Sequence, residues 1–359
     1  MPERLRFHFE PKTGWMNDPN GLIEYRGQIH AFFQHNPYAP KWDRMHWGHA
    51  VSDDGLAWRE LPIALYPDMP YEDAGGCYSG SAVEKDGKLW LFYTSVSRAL
   101  GQTQSCAVSA DGVHFEKLLQ NPVIPACPIE GCTDFRDPKV FPYQNGFRMV
   151  VGSGSDGVGR ILLFASEDLV SWRYVGVLFE STAYGRVLEC PDLFKLDGKW
   201  VLMFSKIGAI ERAVQFVVGD FDGERFTPES FCVPEAGPQF YAPQTFQRSD
   251  GARILIGWLY DWQRKLDEGA DWAGALTIPR RLSLRGNRVC MFPIENAQPL
   301  LTDQDALLDI EETCVSVRGK PVGVTLEGGE KVEDVRILRD TKTMEVFVNG
   351  GAYSFSFWL

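Results

Sequence analysis

Five times along the chain a turn glycine is followed by an apolar, strand-like run. The runs are Gly27-Gln28-Ile29-His30-Ala31-Phe32-Phe33, Gly87-Lys88-Leu89-Trp90-Leu91-Phe92-Tyr93 and Gly146-Phe147-Arg148-Met149-Val150-Val151. Gly198-Lys199-Trp200-Val201-Leu202-Met203-Phe204 and Gly251-Ala252-Arg253-Ile254-Leu255-Ile256 follow, so the glycines step by 60, 59, 52 and 53 residues. A second signature, Ser-x-Asp-Gly-x-x-aromatic, interleaves with the first. It begins at Ser52 and Ser109, with looser copies at Ser166 and Asp220, in steps of 57, 57 and 54. Glycine and Asp-Gly between strand-like runs are hairpin signals. Each period therefore predicts a strand, a glycine turn, an apolar strand, a longer connection, a third strand, an Asp-Gly turn and an edge strand opened by the aromatic. The fifth period lacks the Asp-Gly ending, and residues 275–284 are expected to supply its outer strands. Five copies of a four-stranded unit predict an all-β chain whose residues 1–295 form a five-bladed β-propeller. After a linker at 296–301, residues 302–359 predict a short β-sheet module with strands near 315–317, 322–326, 335–338 and 344–348.

Composition narrows the partners. The 36 basic and 48 acidic residues leave a net charge of −12, which argues against a nucleic-acid-binding surface. Aromatics make up 13% of the 359 residues, beside 35 glycines and 22 prolines, a balance that favours short strands and tight turns over helices. No apolar run reaches the ~20 residues that span a bilayer, so no membrane contact is expected. The opening residues lack the apolar core of a secretory signal, which makes a cytoplasmic protein the expectation. Eight cysteines occur without a C-x-x-C pair. Cys127 and Cys132 lie five apart with no neighbouring His, so these thiols are read as reduced and not as a zinc site. Neither metal nor cofactor is expected, and the oligomeric state is left open.

The repeat also indexes positions. Nine residues before the five turn glycines stand Asp18, Tyr78, Asp137, Glu189 and Ala242. The first strand of each blade lines the propeller axis, so these positions converge at one mouth, and three of them are carboxylates. Crowded acids repel one another, a cost more easily kept for function than for stability. They would serve either a divalent cation or the cleavage of a glycosidic bond. Calcium takes six to eight oxygens, usually from within one loop. Three acids from three blades, with Trp15, Trp42, Trp47 and Tyr241 near the same loops, suit a sugar better. Trp58, Trp90, Trp172 and Trp200 sit inside strand patterns and are read as core.

Trp15-Met16-Asn17-Asp18-Pro19-Asn20-Gly21 resembles the signature of glycoside hydrolase family 32, the β-fructosidases. Further family blocks recur in order: Phe33-Gln34-His35-Asn36-Pro37, Trp47-Gly48-His49-Ala50, Tyr78-Ser79-Gly80-Ser81, Phe135-Arg136-Asp137-Pro138, Glu189-Cys190-Pro191-Asp192-Leu193 and Phe240-Tyr241-Ala242-Pro243-Gln244. The resemblance covers roughly residues 5–295. It implies a five-bladed propeller and a retaining β-fructofuranosidase acting by double displacement on sucrose, sucrose 6-phosphate or short fructo-oligosaccharides. It further implies Asp18 as nucleophile, Glu189 as general acid/base and Asp137 as transition-state stabiliser. Asn17, Gln34, Trp42, Tyr78, Ser79, Arg136 and Tyr241 would line the fructose subsite.

Two departures stand out. The family usually carries Asp two residues before the tyrosine of the Phe-Tyr-Ala block, where this chain has Gln239, a change expected to act on outer subsites. The family also appends a full β-sandwich, whereas residues 302–359 would form only a reduced one, within which Glu345-Val346-Phe347-Val348-Asn349 resembles the sandwich motif. Alternatives remain: a fructosyltransferase using the same acids, a related glycosidase of arabinosides or xylosides, and a non-catalytic fructoside-binding homologue. A phosphorylated substrate would call on Lys41, Arg44 or Lys206.

Overall fold

The computed structural model describes residues 2–259, 261–262 and 266–359. Its hairpins begin where the glycines sit. Arg26-Gly27, Asp86-Gly87 and Asp197-Gly198 each form a two-residue turn with both φ angles positive, between the pairs Tyr25–Gln28, Lys85–Lys88 and Leu196–Lys199. Such turns match the right-handed twist of the strands they join. The third hairpin differs by one residue. Its turn is Gln144-Asn145, and Gly146 already pairs with Tyr143. The Asp-Gly turns share one device: Oδ1 of Asp54, Asp111, Asp168 and Asp222 each accepts the backbone N–H groups two and three residues ahead. An aspartate that caps its own turn in this way ends one strand and starts the next.

Five sheets result. The first comprises Gly14–Tyr25, Gln28–Asn36, His46–Ser52 and Arg59–Leu65. The second comprises Gly76–Lys85, Lys88–Ser97, Gly101–Ser109 and Glu116–Lys117, and the third Asp134–Tyr143, Gly146–Ser155, Val158–Ser166 and Arg173–Ser181. Leu188–Leu196, Lys199–Lys206, Val214–Phe221 and Phe226–Cys232 make the fourth. The fifth is built from Tyr241–Gln247, Arg253–Trp258, Arg280–Arg285 and Arg288–Pro293, so the outer strands expected within 275–284 lie further along the chain. The connection that displaces them contains Trp272–Ala273, which pairs in parallel with Gly14 and Trp15 of the first sheet.

Apolar side chains fill the space between consecutive sheets. Phe32, Trp47, Leu91 and Tyr93 bury the face between the first and second, and Phe92, Met149 and Leu162 that between the second and third. Leu163, Leu202 and Phe204 lie between the third and fourth, and Met203, Phe216, Leu255 and Leu282 between the fourth and fifth. Phe33, Ala50, Ile254 and Ile256 pack the fifth against the first. The first strands follow the same order, each in contact with the next and Tyr241–Gln247 with Gly14–Tyr25.

Every first strand carries a bulge at the same level. Asn17-Asp18, Tyr78-Ser79, Asp137-Pro138, Cys190-Pro191 and Ala242-Pro243 drop out of the ladder, each opposed by one residue, respectively Gln34, Thr94, Val151, Phe204 and Gly257. Proline has no N–H to donate, and Asp137, Cys190 and Ala242 take positive φ of 66°, 47° and 46°. A bulge bends its strand and re-aims the side chains beside it.

Beyond the fifth sheet, the stretch expected as a linker is largely one 3-10 turn, Glu295–Leu300. Two three-stranded sheets follow, Leu308–Ile310 with Cys314–Val317 and Gly323–Thr325, then Val335–Arg339 with Thr343–Val348 and Tyr353–Trp358. The expected strands are present, with one added at each end. These sheets share a core of their own around Val315, Ile337, Val346 and Phe355. They meet the rest of the chain through a buried ionic cluster. Glu345 accepts from Arg280 at 2.8 Å, from the Ile278 N–H at 2.9 Å and bonds His8 Nε2 at 2.8 Å. Arg280 also reaches Glu235 at 2.6 Å, and His8 Nδ1 reaches Asp340 at 2.8 Å. Among the described residues no helix is long and apolar enough to cross a membrane.

Candidate active site

Residues in the first three bulges, and Glu189 and Tyr241 directly before the fourth and fifth, line one cavity of about 400 Å³. Asp18, Asp137 and Glu189, expected from the spacing alone, all lie on its wall. So do Asn17, Gln34, Trp42, Tyr78, Ser79, Arg136 and Tyr241. The geometry thus brings together the three carboxylates and all seven residues that the family resemblance assigns to the fructose subsite.

Each carboxylate has a distinct setting. Asp18 Oδ2 accepts a 2.7 Å hydrogen bond from the Ser79 hydroxyl, supplied by the neighbouring bulge. Burial raises its pKa, partly offset by Ser79 and Asn17, while the nearby Glu189 raises it further. Asp137 accepts from the Cys190 N–H at 2.9 Å. Burial pushes its pKa up to about 7, against the pull of Arg136 and with help from the charges of Glu189 and Asp18. Glu189 is held on both oxygens: Arg136 Nε and Nη2 donate to Oε1 at 3.0 and 2.8 Å, and the Tyr241 hydroxyl donates to Oε2. Three carboxyls that feel one another's charge, two of them buried with raised pKa values, are the arrangement in which protonated and ionised acids coexist at one pH.

A supporting layer fixes these groups. Asp134 bonds Arg136 at 2.5 Å through Oδ1 and Arg186 at 2.6 Å through Oδ2. Trp15 Nε1 donates to Asn17 Oδ1 at 2.7 Å, and Gln34 donates to the Cys77 carbonyl at 2.9 Å. Trp15 therefore orients a site residue; it is buried and outside the wall of this cavity, with Trp262 stacked on its face. Trp47 is fully buried between the first and second sheets, so the expectation that it faces substrate is overturned; its indole N–H donates to the Tyr78 carbonyl. Trp58, Trp90, Trp172 and Trp200 pack against the sheet cores, as their strand positions predict.

The cavity also contains residues that sequence reasoning missed: Gln102, Ile207, Gly208, Trp258 and Trp262. Gln102 Oε1 accepts from Phe135 N and Arg136 Nη1, but it stands outside every recurring block. Trp258 closes the second strand of the fifth sheet, an end position that the glycine repeat could have flagged. Trp262 stacks on Trp15 with ring centres 5.1 Å apart. Gln239 is absent from the wall; its Oε1 accepts from the Trp358 N–H, so it faces the final strand. Of the three cations weighed for a phosphate, Arg44 is tied to the Pro67 carbonyl. Lys41 lines a side cavity shared with Trp42 and Trp262, and Lys206, which feels the Arg212 charge, directly precedes Ile207 and Gly208 of the wall.

Comparison with known proteins agrees with this geometry. A sucrose-6-phosphate hydrolase of Zymomonas mobilis is 39% identical over 322 residues, covering 82% of this chain and 62% of that protein. A levanase of Bacillus subtilis is 38% identical over 333 residues, covering 83% of this chain and 48% of the levanase. The chain thus spans about three-fifths or less of the length of these two relatives. A solved GH32 β-fructofuranosidase from Bombyx mori superposes with a TM-score of 0.87 at 32% identity, covering 99% of this chain and 89% of that one. The family model for the glycosyl hydrolases family 32 N-terminal domain matches residues 8–293, which takes in all five sheets around the cavity, and the chain belongs to that family.

Proposed function

We propose that this protein is a retaining β-fructofuranosidase. In this reading residues 1–295 are a five-bladed β-propeller, 296–301 a linker and 302–359 a reduced β-sandwich. The order of contacts among the five first strands supports the propeller. The observation that carries the function is the convergence of Asp18, Asp137 and Glu189, from three sheets, on one cavity. Asp18, oriented by Ser79, attacks the anomeric carbon of the fructosyl group while Glu189 gives its proton to the bridging oxygen. Arg136 and Tyr241 fix the direction of the Glu189 carboxyl. Asp137 holds fructose hydroxyls as positive charge develops on the ring. Water, activated by Glu189, then releases fructose with net retention. Asn17, Gln34, Trp42 and Tyr78 shape the fructose subsite. No cofactor enters these steps.

The substrate in this reading is sucrose or a relative of it. The Bombyx mori relative has been solved in complex with sucrose, and other relatives are named as sucrose-6-phosphate hydrolases and a levanase. Lys206, one residue before Ile207 of the cavity wall and within reach of the Arg212 charge, supports a phosphorylated sucrose over a neutral one. All eight cysteines are unpaired, which fits a reducing compartment such as the cytoplasm. Rates measured side by side on sucrose, sucrose 6-phosphate, kestose and inulin test the assignment. We expect the 6-phosphate to be preferred and Lys206→Ala to erase that preference while sparing sucrose cleavage. Asp18→Asn should lower kcat by roughly 10³-fold or more. Near-normal activity in that variant would refute the nucleophile, and oligosaccharide products dominating at high sucrose would make the protein a transferase.

A further inference from the structure

Cys127 and Cys132 flank a short loop that runs directly into Asp134–Tyr143, the strand carrying Arg136 and Asp137. Their sulfurs meet at one hydroxyl: Ser153 Oγ lies 3.6 Å from Cys127 Sγ and 3.2 Å from Cys132 Sγ. Cys132 Sγ also bonds the Asp134 carbonyl at 3.0 Å. Both thiols are half-buried, whereas Cys77, Cys106, Cys190 and Cys290 are buried. The two thiols differ in character. Each thiol perturbs the other: Cys127 is raised and the Cys132 thiol is drawn down to about 6, with burial opposing the latter. Burial raises Cys77, Cys106, Cys190, Cys232 and Cys290, so Cys132 has the chemistry of an attacking thiolate and Cys127 that of its resolving partner.

We propose that Cys127 and Cys132 form a redox-active dithiol, closing to an intrachain disulfide on reaction with a small organic disulfide such as oxidised glutathione, and that closure lowers the activity of the adjoining site. The Cys132 thiolate attacks one sulfur of the small disulfide, forming a mixed disulfide and expelling one thiolate. Cys127, on losing its proton, displaces the second. Two protein thiols are oxidised, one small disulfide is reduced to two thiols, and the reverse exchange restores the dithiol. Closure draws Cys132 off the Asp134 carbonyl and Ser153. Asp134 holds Arg136, and Arg136 holds Glu189, so the shift reaches the site through two ion pairs. Misplacement of such a group by a fraction of an ångström costs about tenfold in rate.

The test equilibrates the full-length chain in glutathione buffers of graded oxidation. Titratable thiols should fall from eight to six, peptide mapping should find Cys127 joined to Cys132, and sucrose-cleaving activity should fall about tenfold and return on reduction. Cys127→Ser should stop at a glutathione adduct on Cys132, and Cys132→Ser should take up none. The double serine variant should keep basal activity and lose its response to oxidant. On the unaltered chain, phenylarsine oxide, which bridges two adjacent thiols, should protect this pair from alkylation. Eight thiols that stay reduced, or a different cysteine pairing, would overturn the dithiol. A Cys127–Cys132 disulfide with full activity would overturn its control of the site. Thiol counts and mapping need no turnover, so they stand apart from the fructosidase reading.

Discussion

Asp137 is a carboxyl that the fold would rather keep protonated. Its pKa stands at about 7, raised by burial, where an exposed aspartate titrates near 3.8. Between those values the folded state binds the proton and the unfolded state does not, so stability falls as pH rises through the window. Asp137→Asn removes that penalty while keeping an oxygen to accept from Cys190. We expect it to be more stable than the parent by about 1–4 kcal/mol at pH 8 and equal to it below about pH 4, with activity largely lost. Denaturant melts at the two pH values check the stability change, and a parent whose stability did not fall over this range would contradict it. Asp18 is likewise raised by burial, and a nucleophile must be ionised. The acid limb of kcat/KM should therefore lie above the ordinary aspartate range and move with Ser79→Ala, which removes a hydrogen bond to the ionised form. At this scale the sequence was informative because the three acids and their neighbours stand in blocks at fixed distances from turn glycines. Gln102 and Trp262 belong to no such block, and only the fold brings them to the wall.

The turn built on Ser166 and Asp168 shows how one element can depart from its repeat. Its copies place glycine at φ 81°, at Gly55 and Gly112, where a Cβ would come within 3 Å of Ile294 and Tyr25 from neighbouring packing. The third copy has Leu169 at φ 72°, with its side chain buried between the second and third sheets. A left-handed backbone costs a non-glycine residue about 1–2 kcal/mol. Burial of a leucine contributes more, and its removal also leaves a cavity, together about 2–5 kcal/mol. Leu169→Gly should therefore destabilise by about 1–3 kcal/mol in spite of relaxing the turn, as a lowered melting temperature would show. A stabilised variant would mean that strain outweighs packing. The same copy explains why the sequence pattern blurs there: the aspartate that caps the turn is retained, while the glycine that marks it is replaced. The outer strands of the fifth sheet lie later than the sequence pattern predicts for a related reason. Their connection carries its own two-residue strand, and the local pattern of 275–284 does not reveal that the segment before it pairs with the first sheet.

Over the whole molecule, the last two sheets are locked on by charge as well as by apolar contact. Arg280, Glu345, His8, Asp340 and Glu235 are all buried. Removing one member of such a cluster strands the others without compensation, which costs about 3–5 kcal/mol. Glu345→Ala should lose that much, whereas Glu312→Ala, at an exposed pair with Lys331, should leave the melting temperature unchanged. His8 adds a pH dependence. Burial alone would lower its pKa, but the hydrogen bonds and charges of Asp340 and Glu345 raise it to about 9. Its stabilisation is thus complete below about pH 6.5 and lost as pH rises through about 9. Melting temperature should decline over that span in the parent and remain flatter in His8→Asn. The sequence revealed the strands of this region and the Glu345 block, but not that cluster, because His8 and Glu345 lie 337 residues apart.

Trp272–Ala273 has a bearing on how such a chain comes apart. Each of the five sheets takes its four consecutive strands from one stretch of sequence, so four of the five junctions are simply where the chain passes onward. The fifth joins the two ends of that path, by two residues of parallel pairing, the apolar layer around Phe33 and Ile256, and the bridge from His8 through Glu345 to Arg280. The molecule therefore has a clasp. Amide protons along this line should exchange with solvent before those of the other junctions, and alkaline conditions, which discharge His8, should loosen the clasp first.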